Sequence, residues 1–562
     1  MRTCMVTLGR MRTDAGEPMS DDLIIYPARL VRTMDPARPT AEAVAVVGDR
    51  IRAVGSLDEL SQYGRATIDR RYEESVIFPG MVEAHAHIMT GEMWQHTYVG
   101  YYERRSPDGR RWPGCESLEA VLSRLAEVDR NLDDLEAPIL AWGLDPLNFP
   151  GERLNRRHLD AVSTTRPIMV LHQSFHLSTV NSAVLQRDGI TRDTAMEGVV
   201  KDPDGEPNGE LQEPPAMALV RSVQARPGES FNEAALRNFG ADARNHGVTT
   251  IVDLGNKNLM REDYVAATRR VVEADDFPTR LSLFHMGAVT SPHEALPRVL
   301  ALRETSSDKL HFGHIKLMLD GSIQGFTARL QPPGYLPDDR EGIWLMAPEA
   351  FEEAFRLFHE AGLTVHVHCN GDEATELFVD TVERVLGQAP RWDHRHTVTH
   401  SQLTTPAQYR RMAALGMCAN IFSNHLWYWG DHHRDLVLGP DRASRMNATA
   451  TALRAGVPVT LHSDSPVTPL DALATASYAA ERRTPLGKTL GEHERLTVPQ
   501  ALHAVTLGAA YTLKMDHLVG SLEAGKFADF AIMDADPYDA APEELRAIAI
   551  QGSVLGGRDF PA

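Results

Sequence analysis

Between residues 235 and 464 one pattern recurs: an amphipathic run, a glycine, then a short apolar or β-branched run. "ALRNFGADARNHGVTTIVDLG" carries it with Gly247 and "EAFEEAFRLFHEAGLTVHVHCNGD" with Gly362. "PAQYRRMAALGMCANIFSN" and "ATALRAGVPVTLHSD" repeat it with Gly416 and Gly456. A glycine directly after a helical period stops the helix, because it enters the left-handed C-terminal conformation without steric cost. Helices alternating with strands imply right-handed crossovers and a parallel sheet. The expected strands are one ending near Val82, then Val248–Asp253, Arg280–His285, His314–Leu319, Thr364–His368, Thr397–His400, Met417–Ile421 and Val457–Leu461. Eight such strands close a (β/α)8, TIM-type barrel. A doubly wound open sheet is the alternative, but no GxGxxG turn follows a first strand.

The two ends follow another rule. "LIIYPARLVRTM" and "EAVAVVGDRIRAVG" near the start, and "LVGSLEAGKFADFAIMDADP" and "LRAIAIQGSVLGG" near the end, are short β-runs broken by Gly and Asp. They read as antiparallel strands with tight turns. The expected organisation is α/β: residues 22–79 and 516–562 form a small β-sandwich from both termini, and residues 80–515 form the barrel. The stretch from about 94 to 237 is too long for one βα connection and reads as a cap inserted after the first strand. Residues 1–21 read as a disordered extension, with Met19 an alternative start to Met1.

Composition narrows the function. A net charge of −20 over 562 residues gives the wrong field for nucleic acid or anionic membrane. The four cysteines, Cys4, Cys115, Cys369 and Cys418, form no CxxC pair, which argues against a disulfide scaffold or a thiolate zinc site. No apolar run approaches the ~20 residues of a membrane span, and the N-terminus lacks the apolar centre of a secretory signal. A cytoplasmic enzyme acting on a small molecule is expected. A homodimer is left open.

In "FPGMVEAHAH" a strand period of two puts His85 and His87 on one face, where a shared cation uses both neutral rings. Barrel chemistry sits at the C-terminal ends of strands. Those ends carry, in order, His85 and His87, Lys316 in "HIKLMLDGS", His366 and His368 in "VHVHCNGDEA", His400 in "HTVTHSQ" and Asp464 in "TLHSDSP".

This ordered set resembles the amidohydrolase superfamily, and within it the YtcJ-like branch that includes N-substituted formamide deformylases. "LDPLNFPG", "SFHLSTVNSAVLQRDGI", "GELQE", "KLMLDGSIQGFTA", "HCNGDEA" and "GSLEAGKFADFAIMD" carry the resemblance further, from about residue 22 to 552. It implies that His85 and His87 hold the more buried metal and that Lys316, carbamylated by carbon dioxide, bridges two ions. His368 and His400 then hold the second ion and Asp464 completes the site. His366 shares a strand face with His368, which lies at the strand end and is the chosen ligand. The resemblance leaves one or two ions open, with Glu213 as an alternative carboxylate ligand or a substrate contact. Zinc is expected first among divalent metals, ahead of manganese, iron or cobalt.

The implied reaction is hydrolysis of a C–N bond in an amide, N-substituted formamide or cyclic amide by a metal-bound hydroxide. Asp464 would move the proton from nucleophile to leaving nitrogen. His176 resembles the cap's substrate-side histidine and would bind the developing oxyanion, or else pack on the barrel rim. Arg329 would neutralise charge near the mouth, or pair with a surface carboxylate. Trp427, in Trp427-Tyr428-Trp429, would line an apolar pocket, or an interface. Two other functions compete: deamination of a heterocycle on the same barrel, and a catalytically retired ligand-binding or regulatory protein.

Overall fold

The computed structural model describes residues 22–134, 136–149, 151–223 and 231–562; the expected N-terminal extension, 1–21, lies outside them. Eight parallel strands follow one another around a barrel: β1 (Met81–Ala86), β2 (Val248–Asn256), β3 (Arg280–Met286), β4 (Leu310–Met318), β5 (Thr364–Cys369), β6 (Thr397–His400), β7 (Cys418–Ile421) and β8 (Val459–Leu461). Each pairs with the next in sequence order. Between β8 and β1 there is no ladder. The seam is spanned just beyond β8 by a parallel bridge between Ala86 and Ser465 and by Asp464 N–H to His85 O at 3.0 Å and His87 N–H to Ser465 O at 2.9 Å.

The strands are almost wholly buried, as expected of a parallel sheet covered by helices. Glycine stops deliver the chain from helix to strand. Gly416 caps Pro406–Leu415 at φ 71° and Gly456 caps Thr449–Ala455 at φ 88°. Thr405 opens the first of these helices with a capping box to Gln408. The main core lies between strands and helices, where Phe351, Phe355, Phe358 and Phe378 pack on Val365 and Val367.

The cap has a sheet of its own, in the order Val199–Lys201, Pro207–Gln212, Leu177–Val180, Ile168–His172, Ile139–Leu144 and Thr97–Tyr98. It buries a separate apolar cluster around Trp142, Leu171 and Leu211. The terminal strands form one hydrogen-bonded sheet of eight. Leu23–Arg32 joins its parts, pairing in parallel with Ala66–Ile68 through Leu23–Ile25 and with Val76–Pro79 through Leu30 and Val31. C-terminal Phe530–Met533 pairs antiparallel with Val76–Pro79, so the chain leaves this sheet at Pro79 and enters β1 at Met81. Among the described residues no helix is long and apolar enough to cross a membrane.

Candidate active site

The strand ends and the cap enclose a cavity of about 200 Å³. His85, His87, Lys316, His368, His400 and Asp464 all line it, together with His176 from the cap. Period two on β1 aims His85 and its neighbour His87 at the same carboxylate: Asp464 Oδ1 lies 3.2 Å from His85 Nε2 and 3.3 Å from His87 Nε2. Asp464 Oδ2 is 3.8 Å from His400 Nδ1. The rings of His368 and His400 are 4.3 Å apart between centroids. His366 is not part of this group; it packs on Phe284 deeper in the barrel and faces Thr512 O through Nε2 at 3.2 Å.

Several of these residues sit in the left-handed region: His400 at φ 70°, Ser401 at 51°, Asp464 at 53° and Glu213 at 65°. Non-glycine residues there cost about 1 kcal/mol or more each, and such strain collects where side chains are aimed for function.

The electrostatics leave His85 and His368 with ring lone pairs and pair His87 with carboxylates. Burial first, and then the Lys316 charge, push His85 and His368 well below the ordinary histidine range, so both rings are neutral donors. Burial would lower His87 as well, but Asp253 and Asp464 outweigh it and raise it to about 9. Burial would raise Asp464, yet the contact with His87 and the neighbouring cations hold it below the usual carboxylate value. Burial lowers Lys316 to about 7. Its Nζ, and Nδ1 of His85, are buried without a hydrogen-bond partner among the described residues. Orphaned buried donors and acceptors are uncommon and call for a missing partner. Two sets of ligand atoms, His85/His87/Asp464 and His85/His400/His462, each lie within 4.8 Å of one another. The residues therefore fit a divalent metal ion.

His176 Nδ1 donates to Glu213 Oε2 at 2.7 Å. Burial would lower it, but Glu213 wins and raises it. Glu213 is thus brought to the site's edge through His176; its Oε1 is buried and unpartnered among the described residues. A side chain at Gly321 would clash with it, since a Cβ there would lie 2.8 Å from Oε1.

Two expected residues are not brought to the cavity. The Arg329 guanidinium turns to Glu373 at 2.7 Å and Glu341 at 3.0 Å. Trp427 stacks on Tyr478 with centroids 5.5 Å apart, under the Arg546 guanidinium. Its neighbour Trp429 is buried and donates to cap Asp145 at 2.5 Å.

The structure also adds residues. His462 contacts His400 Nδ1 through Nε2 at 3.2 Å and is held by Asn420 Oδ1 at 2.7 Å. Its position two before Asp464 in "TLHSDSP" repeats the period-two signal of His85 and His87. Asp253, an acidic residue on β2 in "TTIVDLG", lies 3.7 Å from His87 Nδ1. Asp320 accepts the backbone N–H groups of Arg329, Asn370 and Gly371 at 2.8–3.0 Å and lies 3.7 Å from His368, tying the β4 and β5 loops together. Glu83 does the same between β1 and β8, accepting from His85 N at 3.0 Å and Ser463 N at 3.2 Å.

Comparison with known proteins agrees with this arrangement. Putative amidohydrolase YtcJ of Bacillus subtilis (strain 168) is 25% identical over 553 residues, covering 95% of this chain and 98% of the relative. An N-substituted formamide deformylase of Arthrobacter pascens is 26% identical over 563 residues, covering 95% and 97%. The crystal structure of an uncharacterized metal-dependent hydrolase from Pyrococcus horikoshii OT3 shares the fold, with a TM-score of 0.71 at 18% identity over 93% of this chain and 99% of that one. The model of the amidohydrolase family matches residues 73–559. From the terminal sheet through all eight barrel strands, the chain belongs to the amidohydrolase family.

Proposed function

We propose that this enzyme hydrolyses the C–N bond of a small neutral amide, an N-substituted formamide or a cyclic amide, using zinc. The observation that carries this reading is the Asp464 carboxylate, poised 3.2 and 3.3 Å from two strand-end imidazoles inside a cavity whose wall includes apolar Phe175, Leu236, Met286, Met318 and Val467 beside polar Glu92, Asn256 and Lys257. The similarity to an N-substituted formamide deformylase supports the same bond type.

His85, His87 and Asp464 would hold a first ion, His368 and His400 a second, and a carbamate on Lys316 would join them. When bound, such ions supply Lewis acidity and acidify a water molecule. The chain does the rest. Asp464 takes the nucleophile's proton and returns it to the leaving nitrogen as the C–N bond breaks. His176, its Nδ1 spent on Glu213, has Nε2 left for the carbonyl oxygen as negative charge grows there. Burial keeps part of Lys316 neutral near pH 7, the form in which an amine adds carbon dioxide and releases a proton. Three buried free thiols, Cys115, Cys369 and Cys418, suit a reducing cytoplasm.

The test is elemental mass spectrometry of protein purified without chelators, paired with an amide panel scored for amine and carboxylate release. About two ions per chain with amide turnover supports the bridged site. About one ion with turnover replaces the bridge by a mononuclear site with unmodified Lys316. Release of ammonia from a heterocycle instead favours a deaminase. No metal and no turnover after adding zinc or manganese with bicarbonate overturns the reading.

A further inference from the structure

Arg104 lies in the cap, in a two-strand hairpin where Arg104–Arg105 pairs with Arg111–Trp112. Its side chain is buried, 5% exposed as a residue, and the hydrogen bonds of its two terminal nitrogens go to main-chain carbonyls rather than to a carboxylate. The guanidinium is spent on two main-chain carbonyls: Nη1 donates to Pro466 O at 2.6 Å and Nη2 to Val467 O at 2.7 Å. It rests 5.2 Å from the Trp142 ring and 5.5 Å from Tyr98. Cap residue Gln173 adds a second donor to Val467 O at 3.0 Å. A buried guanidinium without a counter-charge is costly, so its partners are informative.

Those partners sit at the weakest part of the barrel. The β8–β1 seam lacks a ladder, and Asp464 follows β8 at this seam in the left-handed region. The turn from Asp464 to Val467 is closed by Val467 N–H to Asp464 O at 2.8 Å. On one side it is fixed to β1 through Asp464 N–H and the Ser465 carbonyl. On the other side, the carbonyls of its last two residues are gripped by Arg104. Cap and barrel thus share one brace, and the residue it braces is the one whose carboxylate faces His85 and His87.

We propose that Arg104 is the positioning residue of the Asp464 turn, holding the seam in register so that the carboxylate meets the histidines. This rests on the reading of Asp464 given above. Arg104 also lines a second cavity of about 490 Å³, beside Trp142, Tyr428 and Asp471.

The test is a double-mutant cycle of Arg104→Ala with Asp464→Ala in the full-length protein, read by amide turnover and by the rate at which a chelator strips metal. Arg104→Ala is expected to lower kcat about 100-fold with little change in KM, the scale of a small misplacement of a reacting group, and to speed metal loss. Guanidinium ion at millimolar concentration should restore part of both, and methylammonium should not. In the Asp464→Ala background, Arg104→Ala should change neither. Additive effects, absence of guanidinium rescue, or metal retention and kcat within about twofold of wild type would overturn the proposal. If Arg104→Ala does not fold, Arg104→Lys, which keeps the charge but loses the fork, takes its place with the same expectations in weaker form. Should the wild type hydrolyse no amide, the functional reading fails, while the metal-loss cycle still decides the role of Arg104.

Discussion

Two clusters of buried histidines share this barrel, and they differ in whether they face the cavity. At the N-terminal end of β5 and β6, His359, His394 and His396 form a stacked group with ring centroids as close as 4.4 Å. Every ring nitrogen there is engaged. His359 Nδ1 meets His396 Nε2 at 2.8 Å and its Nε2 meets Ala389 O at 2.7 Å. His394 Nε2 meets Leu415 O at 2.8 Å while its Nδ1 accepts from His396 N, and His396 Nδ1 accepts from Val365 N. At the opposite end, His85, His87, His368, His400 and His462 surround a carboxylate, beside an amine and a ring nitrogen that have no partner among the described residues. Both clusters are buried and both are dense. What separates them is whether the lone pairs and protons are already spent: the lower cluster is closed, and the upper one is left open.

The comparison is broken most forcefully at the carboxylate. Asp464→Asn keeps the shape and an oxygen donor but loses the proton acceptor. It is expected to retain metal, measured by elemental analysis, and to lose about 10³-fold in kcat, within the range for removing a positioned acid–base. Turnover equal to wild type would remove Asp464 from the chemistry and leave the upper cluster no more reactive than the lower.

Lys316→Met asks whether openness costs stability. A buried amine with no partner opposes folding, so an apolar replacement of similar length should stabilise the metal-free protein by about 1–2 kcal/mol in urea unfolding. The same change should cost about 100-fold in activity and lower the metal content. A variant that is destabilised in the absence of metal would show that Lys316 is a structural residue like those of the lower cluster.

The sequence exposed the barrel better than the site. β6 was expected at Thr397–His400 and is found there, and β5 and β3 each extend one residue beyond expectation. Glycine stops and buried β-branched runs are local signals, and they survive folding because each helix and strand meets its neighbour in sequence order. That His85, His87, Lys316, His368, His400 and Asp464 meet in one cavity was legible for the same reason, since a period of two and a barrel's polarity place them. The two readings held open for Arg329 and for Trp427 could not be told apart in the sequence because their partners are remote: Glu373 lies 44 residues from Arg329, and Arg546 covers Trp427 from the far end of the chain. The cap's sheet resisted reading because Thr97–Tyr98 joins Ile139–Leu144 through a single two-residue pairing that carries no periodicity. His462 and Asp253 were readable in principle, as a second period-two histidine and a strand-end acid.

The smallest effect sharpens the other side of the comparison. Burial is the main cause that pushes His394 down to about 4; the Leu415 carbonyl opposes it, and His359, Arg391 and Lys514 add to it. In the folded protein the ring is therefore neutral at pH 6, whereas in the unfolded chain it titrates near 6.5. Between these two values the unfolded state binds the extra proton, so stability is fully present above about 6.5 and is lost as pH falls toward 4, by up to about 1.4 kcal/mol per pH unit for this one group. His394→Leu removes the titration along with two hydrogen bonds. It should lower stability at pH 7 by about 1–3 kcal/mol, yet flatten the acid limb of a urea-midpoint profile measured from pH 7 to 4, with kcat unchanged in the folded enzyme. Because the difference between the two profiles is read, buried histidines distant from His394 cancel, and what is left is His394 with its neighbours His359 and His396. A parallel pair of profiles would mean that His394 takes up its proton in the fold at the same pH as in the unfolded chain, and that the closed cluster does not hold its ring neutral.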